Sequence, residues 1–278
     1  MKFALNYSPA AADLRRGGKI AIDLFKCPDW PEVTDPASEF GPIYVHFPLV
    51  VGTGAGDAIN SEHQGIPNWG RIDDYLRQTG TPYLNVHMRC YADDHRDISA
   101  NFGDDALAEK VVEIVLADLI PVVARYGAER VIVENYPYRS GSSVLRPLAY
   151  PEVISRIVRE SGCGFLLDIS HARISAAALG MRGRAYVRAL PVDRIREIHV
   201  AGIHLHENRL RDHLDMRPAD WRFLNWALAQ IRAAEWAEPW VLAMEYGGIG
   251  DIFEWRTDPG VIAEQVPRMF HSINGLRE

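Results

Sequence analysis

Short apolar runs recur along the whole length of this chain, each too brief for a helix and most without polar–apolar alternation. They are Lys2–Tyr7, Lys19–Phe25, Ile43–Phe47, Tyr83–Met88, Arg130–Asn135, Gly164–Ile169, Arg196–Ala201 and Trp240–Tyr246. Runs of this kind suit strands covered on both faces, as in a parallel sheet. Between most of them lie segments of helical period: Ala106–Tyr126, Pro151–Ser161, Ala185–Leu190, Pro218–Ala234 and Gly260–Phe270. Pro121 predicts a kink or break in the longest of these, whereas Pro151 and Pro218 sit where a first turn tolerates proline. Gly127 is placed to cap the longest helix. Eight strands alternating with helices over about 250 residues is the rhythm of a (β/α)8 TIM barrel. The prediction is an α/β chain forming one such domain over residues 1–278.

The barrel has irregular parts. Pro28, Pro31 and Pro36 leave space for a short helix between Lys26 and Phe40. Long connections at residues 48–69 and 89–104, and a third at 202–217, are predicted as loops at the catalytic face, the first two as a lid. Gly52-Thr53-Gly54-Ala55-Gly56 has the look of a phosphate-cradling loop, but Asp57–Asn60 opens no helix, so a flexible loop is expected there.

Six of the apolar runs end in a residue suited to metal or proton chemistry: His46, His87, Glu134, Asp168 (followed by His171), His199 and Glu245. A parallel barrel gathers the C-terminal ends of its strands around one cavity, so these side chains are expected to converge. A histidine closing one strand is ordinarily a hydrogen-bonded core residue. Three of them, together with carboxylates that are costly to bury unpaired, point instead to a metal cluster. Asp212-His213, in the segment after the seventh strand, joins a carboxylate to an imidazole and is expected to complete a further metal site. The mixed imidazole and carboxylate donors suit Zn, Mn, Fe or Co and suit Ca or Mg poorly. Lys26, Arg139 and Arg173 lie just beyond strand ends and are read as grips for an anionic group on a substrate; Asn135 is read as lining the pocket. His63, His95 and His271 lack such context and are expected at the surface.

Composition removes several classes. Three cysteines (Cys27, Cys90 and Cys163) without CxxC spacing predict free thiols and a reducing, cytoplasmic setting. A net charge of −7 argues against a nucleic-acid surface. No apolar run reaches the roughly 18–20 residues of a membrane span, and the first residues read straight into a strand without a signal-peptide core.

The order His46, His87, Glu134, Asp168-x-x-His171, His199, Asp212-His213, Glu245 resembles the xylose-isomerase-like barrel superfamily. Within it the chain is most similar to the multinuclear non-haem iron-dependent oxidases. The resemblance runs from about Val131 to Pro267, through Val133-Glu134-Asn135, Gly162–Asp168, Ile198-His199-Val200-Ala201-Gly202, Arg211-Asp212-His213 and Met244-Glu245-Tyr246. It implies two or three irons, Fe(II) and Fe(III) together, that use dioxygen. It also implies a substrate that is a peptide, commonly modified at cysteine, with a partner protein presenting it; a small-molecule substrate is the other expectation. Asp212 and His213 are adjacent where the family usually sets one residue between them. Two relatives in the superfamily offer alternatives: a tri-zinc phosphodiesterase similar to endonuclease IV, and a sugar isomerase or epimerase with a single Mn. The latter would need Glu134, Asp168, His199 and Glu245 but not His46 or His87 as ligands, so the extra histidines favour several metals.

Overall fold

The computed structural model describes residues 1–62, 65–95, 98, 104–206, 209–251 and 253–275; His63 lies outside them. The chain begins β1 (Lys2–Asn6), α1 (Pro9–Arg16), β2 (Leu24–Cys27), α2 (Pro31–Glu39), β3 (Ile43–Val45), β4 (Leu49–Val51) and β5 (Ile59–Asn60). It continues with α3 (Trp69–Thr79), β6 (Leu84–Met88), α4 (Asp104–Tyr126), β7 (Val131–Glu134), α5 (Pro151–Ser161), β8 (Gly164–Asp168), α6 (Ile169–Ala178) and α7 (Gly183–Ala189). The last elements are β9 (Ile195–Val200), β10 (Gly202–His206), β11 (Arg209–Leu214), α8 (Pro218–Arg232), β12 (Val241–Met244) and α9 (Pro259–Asn274). The eight predicted strands are all present, most with ends within two residues. The exception is β2, where the Asp23 carboxylate accepts the Phe3 N–H at 2.7 Å and pairing with β1 begins only at Leu24. Helix α4 runs on through Pro121 as one element, so the predicted break does not occur. Gly127, at φ 87°, follows it as expected, its N–H bonded to the Val123 carbonyl. Among the described residues no helix is long and apolar enough to cross a membrane.

The chain divides into two compact units. The first comprises Met1–His46, Tyr75–Thr81 and Arg196–Glu278. Its strands lie in the order β3-β2-β1-β12-β9, all parallel, with Ala4 opposite both Leu24 and Ala243, and His199 opposite Ala243. Side chains alternate between faces with period two. One face therefore collects Ala4, Leu24, Tyr44, Val241 and Ala243, which form a buried apolar cluster with Trp240 packed against it. Lys26, His46, His199 and Glu245 continue the same face at the C-terminal strand ends. Trp221 and Trp236 are buried, and Trp226 meets Trp236 edge-on.

The second unit comprises Phe47–Asp74 and Pro82–Ile195. Its strands run β8-β7-β6-β4 in parallel, with β5 antiparallel on β4. His87 is opposite Glu134, and Glu134 is opposite Leu166, so alternation sets His87, Glu134 and Asp168 on one face. The chain enters β4 through Phe47, whose N–H and carbonyl are both held by the Asn85 side chain, at 2.7 and 2.9 Å.

Two loop predictions need correction. The Gly52–Gly56 segment is an anion nest that binds the chain's own Asp118. The backbone N–H groups of Gly52, Thr53 and Gly54 donate to one carboxylate oxygen at 2.8–3.0 Å, and Gly56 donates to the other at 2.7 Å. Successive N–H groups converge in this way when positive-φ glycines turn the backbone, here at 52, 54 and 56. His95, expected at the surface, is buried with Nε2 2.9 Å from the Gly52 carbonyl.

The second correction concerns residues 202–217, where Gly202–His206 (β10) and Arg209–Leu214 (β11) pair as a two-stranded antiparallel sheet. Its register shifts between Gly202 and His204, so that Asp212 and His213 together oppose Ile203 in a β-bulge. Gly202 lies so close to the Asp215 backbone that a Cβ would sit 1.8 Å from the Asp215 carbonyl oxygen.

Candidate metal centre

In the second unit, Glu134 ends β7 with its side chain 3% exposed. Its Oε2 lies 3.2 Å from His87 Nε2 and its Oε1 lies 3.4 Å from His171 Nδ1. Asp168 caps helix α6, accepting the His171 N–H at 2.7 Å, and this one-turn geometry brings its Oδ2 to 3.5 Å from His171 Nδ1. Here the side chains of His87, Glu134, Asp168 and His171 meet. The other nitrogen of His87, Nδ1, is 2.9 Å from the Leu49 carbonyl, which fixes the ring and turns Nε2 toward Glu134. Neighbouring donors around an ion with bonds of roughly 2.1 Å stand about 3 Å apart, so the separation of His87 Nε2 from Glu134 suits shared ligation. His171 Nδ1 is also 3.0 Å from the Asn135 carbonyl, which accepts its proton and leaves Nε2 as the nitrogen open to a metal.

Asn135 has a different task from the one expected. Both ends of its amide are bound to the Asp168 backbone, at 2.9 and 3.0 Å, and it is buried. It clamps the end of β7 to the end of β8. Arg139 and Arg173 are half-buried, the first in the loop after β7 and the second on α6 two residues beyond His171.

In the first unit, His46, Glu197 and His199 offer donor atoms within 4.8 Å of one another. The His46 and His199 rings are 5.0 Å apart at their centroids. His199 is fully buried, with Nε2 2.7 Å from Glu197 Oε1 and Nδ1 3.1 Å from Glu245 Oε1. Glu245 also meets Lys26, Nζ to Oε1, at 2.5 Å. Lys26, expected to grip a substrate, is thus a buried counter-ion to Glu245. Burial alone would lower the basicity of His199, but Glu245 and Glu197 outweigh it and raise the imidazolium pKa to about 10. Burial alone would likewise raise the Glu245 carboxyl, yet Lys26, His199 and His213 hold it well below the usual carboxylate range. The carboxylates of this face therefore gather positive charge, the role a bound cation would take.

His213 reaches this face through the bulge. Adjacent residues of a regular strand point to opposite sides, but His213 has φ 55°, a conformation uncommon outside glycine. The turn brings its Nε2 to 3.7 Å from Glu245 Oε2 and its ring edge-on to Phe253. Asp212 is held at its carbonyl by Arg256 Nη1, at 3.0 Å. His213 Nδ1 is buried without a hydrogen-bond partner among the described residues. A buried orphan of this kind costs about 1–3 kcal/mol unless something else satisfies it. Mixed N and O donors, buried carboxylates and an orphaned imidazole nitrogen fit a transition metal.

Sequence reasoning missed Glu197 and Tyr44. Glu197-Ile198-His199 carries the signal, since i, i+2 spacing on a strand puts both polar residues on one face. The thiols are as expected: Cys27, Cys90 and Cys163 are free and buried, and burial pushes Cys27 and Cys90 up to about 12 and Cys163 to about 11.

Comparison with solved structures shows the class. The chain is similar over 100% of its length to a xylose isomerase domain containing protein of Salmonella typhimurium LT2, covering 97% of that chain at TM-score 0.56 and 15% identity. It is also similar to mannonate dehydratase from Streptococcus suis, with 99% of this chain and 93% of that one at TM-score 0.57 and 11% identity. The fold is therefore α/β, of the xylose-isomerase-like TIM-barrel class. Residues 69–237 match the family described as RiPP precursor modification enzyme MbnB/TglH/ChrH, and the chain belongs to that family. Among curated relatives, a UPF0276 protein of Acaryochloris marina is 29% identical over 167 residues, 58% of this chain and 54% of its own. Another, of Anaeromyxobacter sp., is 31% identical over 104 residues, 37% of this chain and 32% of its own. The chain thus spans about half the length of the first of these relatives and less of the second.

Proposed function

We propose that this chain is a multinuclear non-haem iron oxidase that uses dioxygen to modify a peptide precursor, at cysteine by preference. The observation that carries the reading is Glu134, a buried carboxylate whose two oxygens face different histidines, His87 and His171. A carboxylate so placed can serve two ions at once. The ligand set proposed is His46, His87, Glu134, Asp168, His171, His199, Asp212, His213 and Glu245. Membership of a family of enzymes that modify ribosomally made precursors supports the peptide substrate. When bound, iron would supply dioxygen activation and a coordination position for the substrate sulfur.

The chain's own residues prepare for that chemistry. Leu49 fixes the tautomer of His87 through its carbonyl, and Asn135 holds the end of β8 so that Asp168 and His171 keep their places. Lys26 neutralises Glu245 until a cation arrives. Arg139 and Arg173 are the proposed grips for carboxylates of the substrate, and a partner protein is proposed to present the peptide.

The test is oxygen uptake by anaerobically purified, iron-loaded protein given a cysteine-containing precursor peptide and its partner. Uptake that requires the peptide, with a matching mass change in the peptide, supports the oxidase. Nicking of abasic DNA by zinc-loaded protein, or epimerisation of a ketose with one manganese, would contradict it.

A further inference from the structure

Glu197 stands outside the ligand set proposed above, yet it is buried between two polar partners. We propose that Tyr44 and Glu197 are positioning residues for His199, holding its ring so that Nδ1 and not Nε2 is the nitrogen offered to a metal. This deepens the metal-centre reading and rests on it. Glu197 and His199 are two apart on β9 and share a face. A single carboxylate oxygen, Glu197 Oε1, lies 2.7 Å from His199 Nε2 and accepts the Tyr44 hydroxyl at 2.9 Å. An ionised carboxylate is acceptor-only, so Nε2 must carry a proton to bond it. The remaining ring nitrogen, Nδ1, is the one that faces Glu245, at 3.1 Å.

The rest of the arrangement is fixed by packing. Tyr44 is 1% exposed, sits in the apolar cluster with Ala4, Leu24, Val241 and Ala243, and meets Trp240 edge-on with centroids 5.6 Å apart. Its hydroxyl has a set position and so does the carboxylate it bonds. Glu197 is itself within reach of His46 and His199 as a donor. Its Oε1 already takes two hydrogen bonds, which favours a role behind the ligand over a role as ligand. Carboxylates that accept the outer N–H of a ligating histidine typically change metal affinity 10–100-fold when lost.

The experiment is a Co(II) titration of metal-free protein against a competing chelator, on wild type, Glu197→Gln and Tyr44→Phe, followed by the d–d absorption of the bound ion. The proposal expects the same number of Co(II) ions per chain in all three. One site should bind about 10–100-fold more weakly with a shifted spectrum in Glu197→Gln, and the same site should be weakened less in Tyr44→Phe. Wild-type affinity and spectrum in Glu197→Gln would overturn it. So would loss of one whole equivalent in Glu197→Gln with Tyr44→Phe unchanged, since Glu197 would then be a ligand. Tyr44→Phe removes only a hydroxyl; if Glu197→Gln fails to fold, wild-type behaviour in Tyr44→Phe overturns the proposal alone. Wild-type protein that binds no Co(II) would remove the metal-centre reading, and this proposal with it, before any variant is compared.

Discussion

Glu134 illustrates how much one residue is asked to do. It is a buried carboxyl group turned to a histidine with each oxygen. Glu134→Gln keeps the shape and removes the charge, so we expect it to lose at least one metal ion per chain by elemental analysis. Full occupancy in that variant would contradict the shared-ligand assignment. His87→Ala should also lose at least one ion, because its Nε2 is the donor held toward Glu134. At the same scale, the buried thiols set an alkaline limit. Their folded pKa values, about 12, 12 and 11, lie above the unfolded value of about 8.5. The folded state therefore holds these protons more tightly than the unfolded state. The stability this gives is fully present below about pH 8.5 and is lost as pH rises from there through about 12. Denaturant unfolding at pH 7 and pH 10 should show the lower stability at pH 10, and native protein at pH 8 should resist alkylation. Rapid labelling of all three thiols in native protein would contradict their burial.

The strand-end residues were legible because each closes an apolar run, where a polar side chain is conspicuous. Glu197 and Tyr44 were harder to read because they sit inside runs, and only the pairing of strands shows which face they occupy. Asn135 was misread for a related reason: proximity to Glu134 suggested a pocket, whereas its amide is committed to a neighbouring strand.

Among the elements, the hairpin of β10 and β11 and the nest at Gly52–Gly56 depend most on single residues. A Cβ at position 202 would meet the Asp215 carbonyl oxygen at 1.8 Å, so Gly202→Ala must displace the hairpin and with it the bulge that carries His213. Expected results are faster proteolysis within residues 202–217 and weaker metal binding; a wild-type digestion pattern would contradict this account. Asp118→Ala would leave the nest's N–H groups without their acceptor, at about 1–3 kcal/mol for each donor that stays buried and unsatisfied. A loss of at least about 3 kcal/mol in urea unfolding is expected, and an effect below 1 kcal/mol would mean that water replaces the carboxylate. Neither element was legible in advance. β10 and β11 are rich in histidine and charged residues and so lack an apolar run, and the nest's partner lies more than sixty positions away, on α4. Local patterning finds strands and helices, but an anion nest declares its ligand only in three dimensions.

At the scale of the whole molecule, each compact unit gathers its own set of histidines and carboxylates: His87, Glu134, Asp168 and His171 in one, and His46, His199, His213 and Glu245 in the other. The fold class was legible because buried parallel strands read as plain apolar runs. The metal count was not, since the same carboxylates serve barrels that bind one ion and barrels that bind three. The most direct measurement is elemental analysis of anaerobically purified protein combined with Mössbauer spectroscopy. The account predicts two or three irons per chain, Fe(II) and Fe(III) together. One manganese per chain, or three zincs, would contradict it.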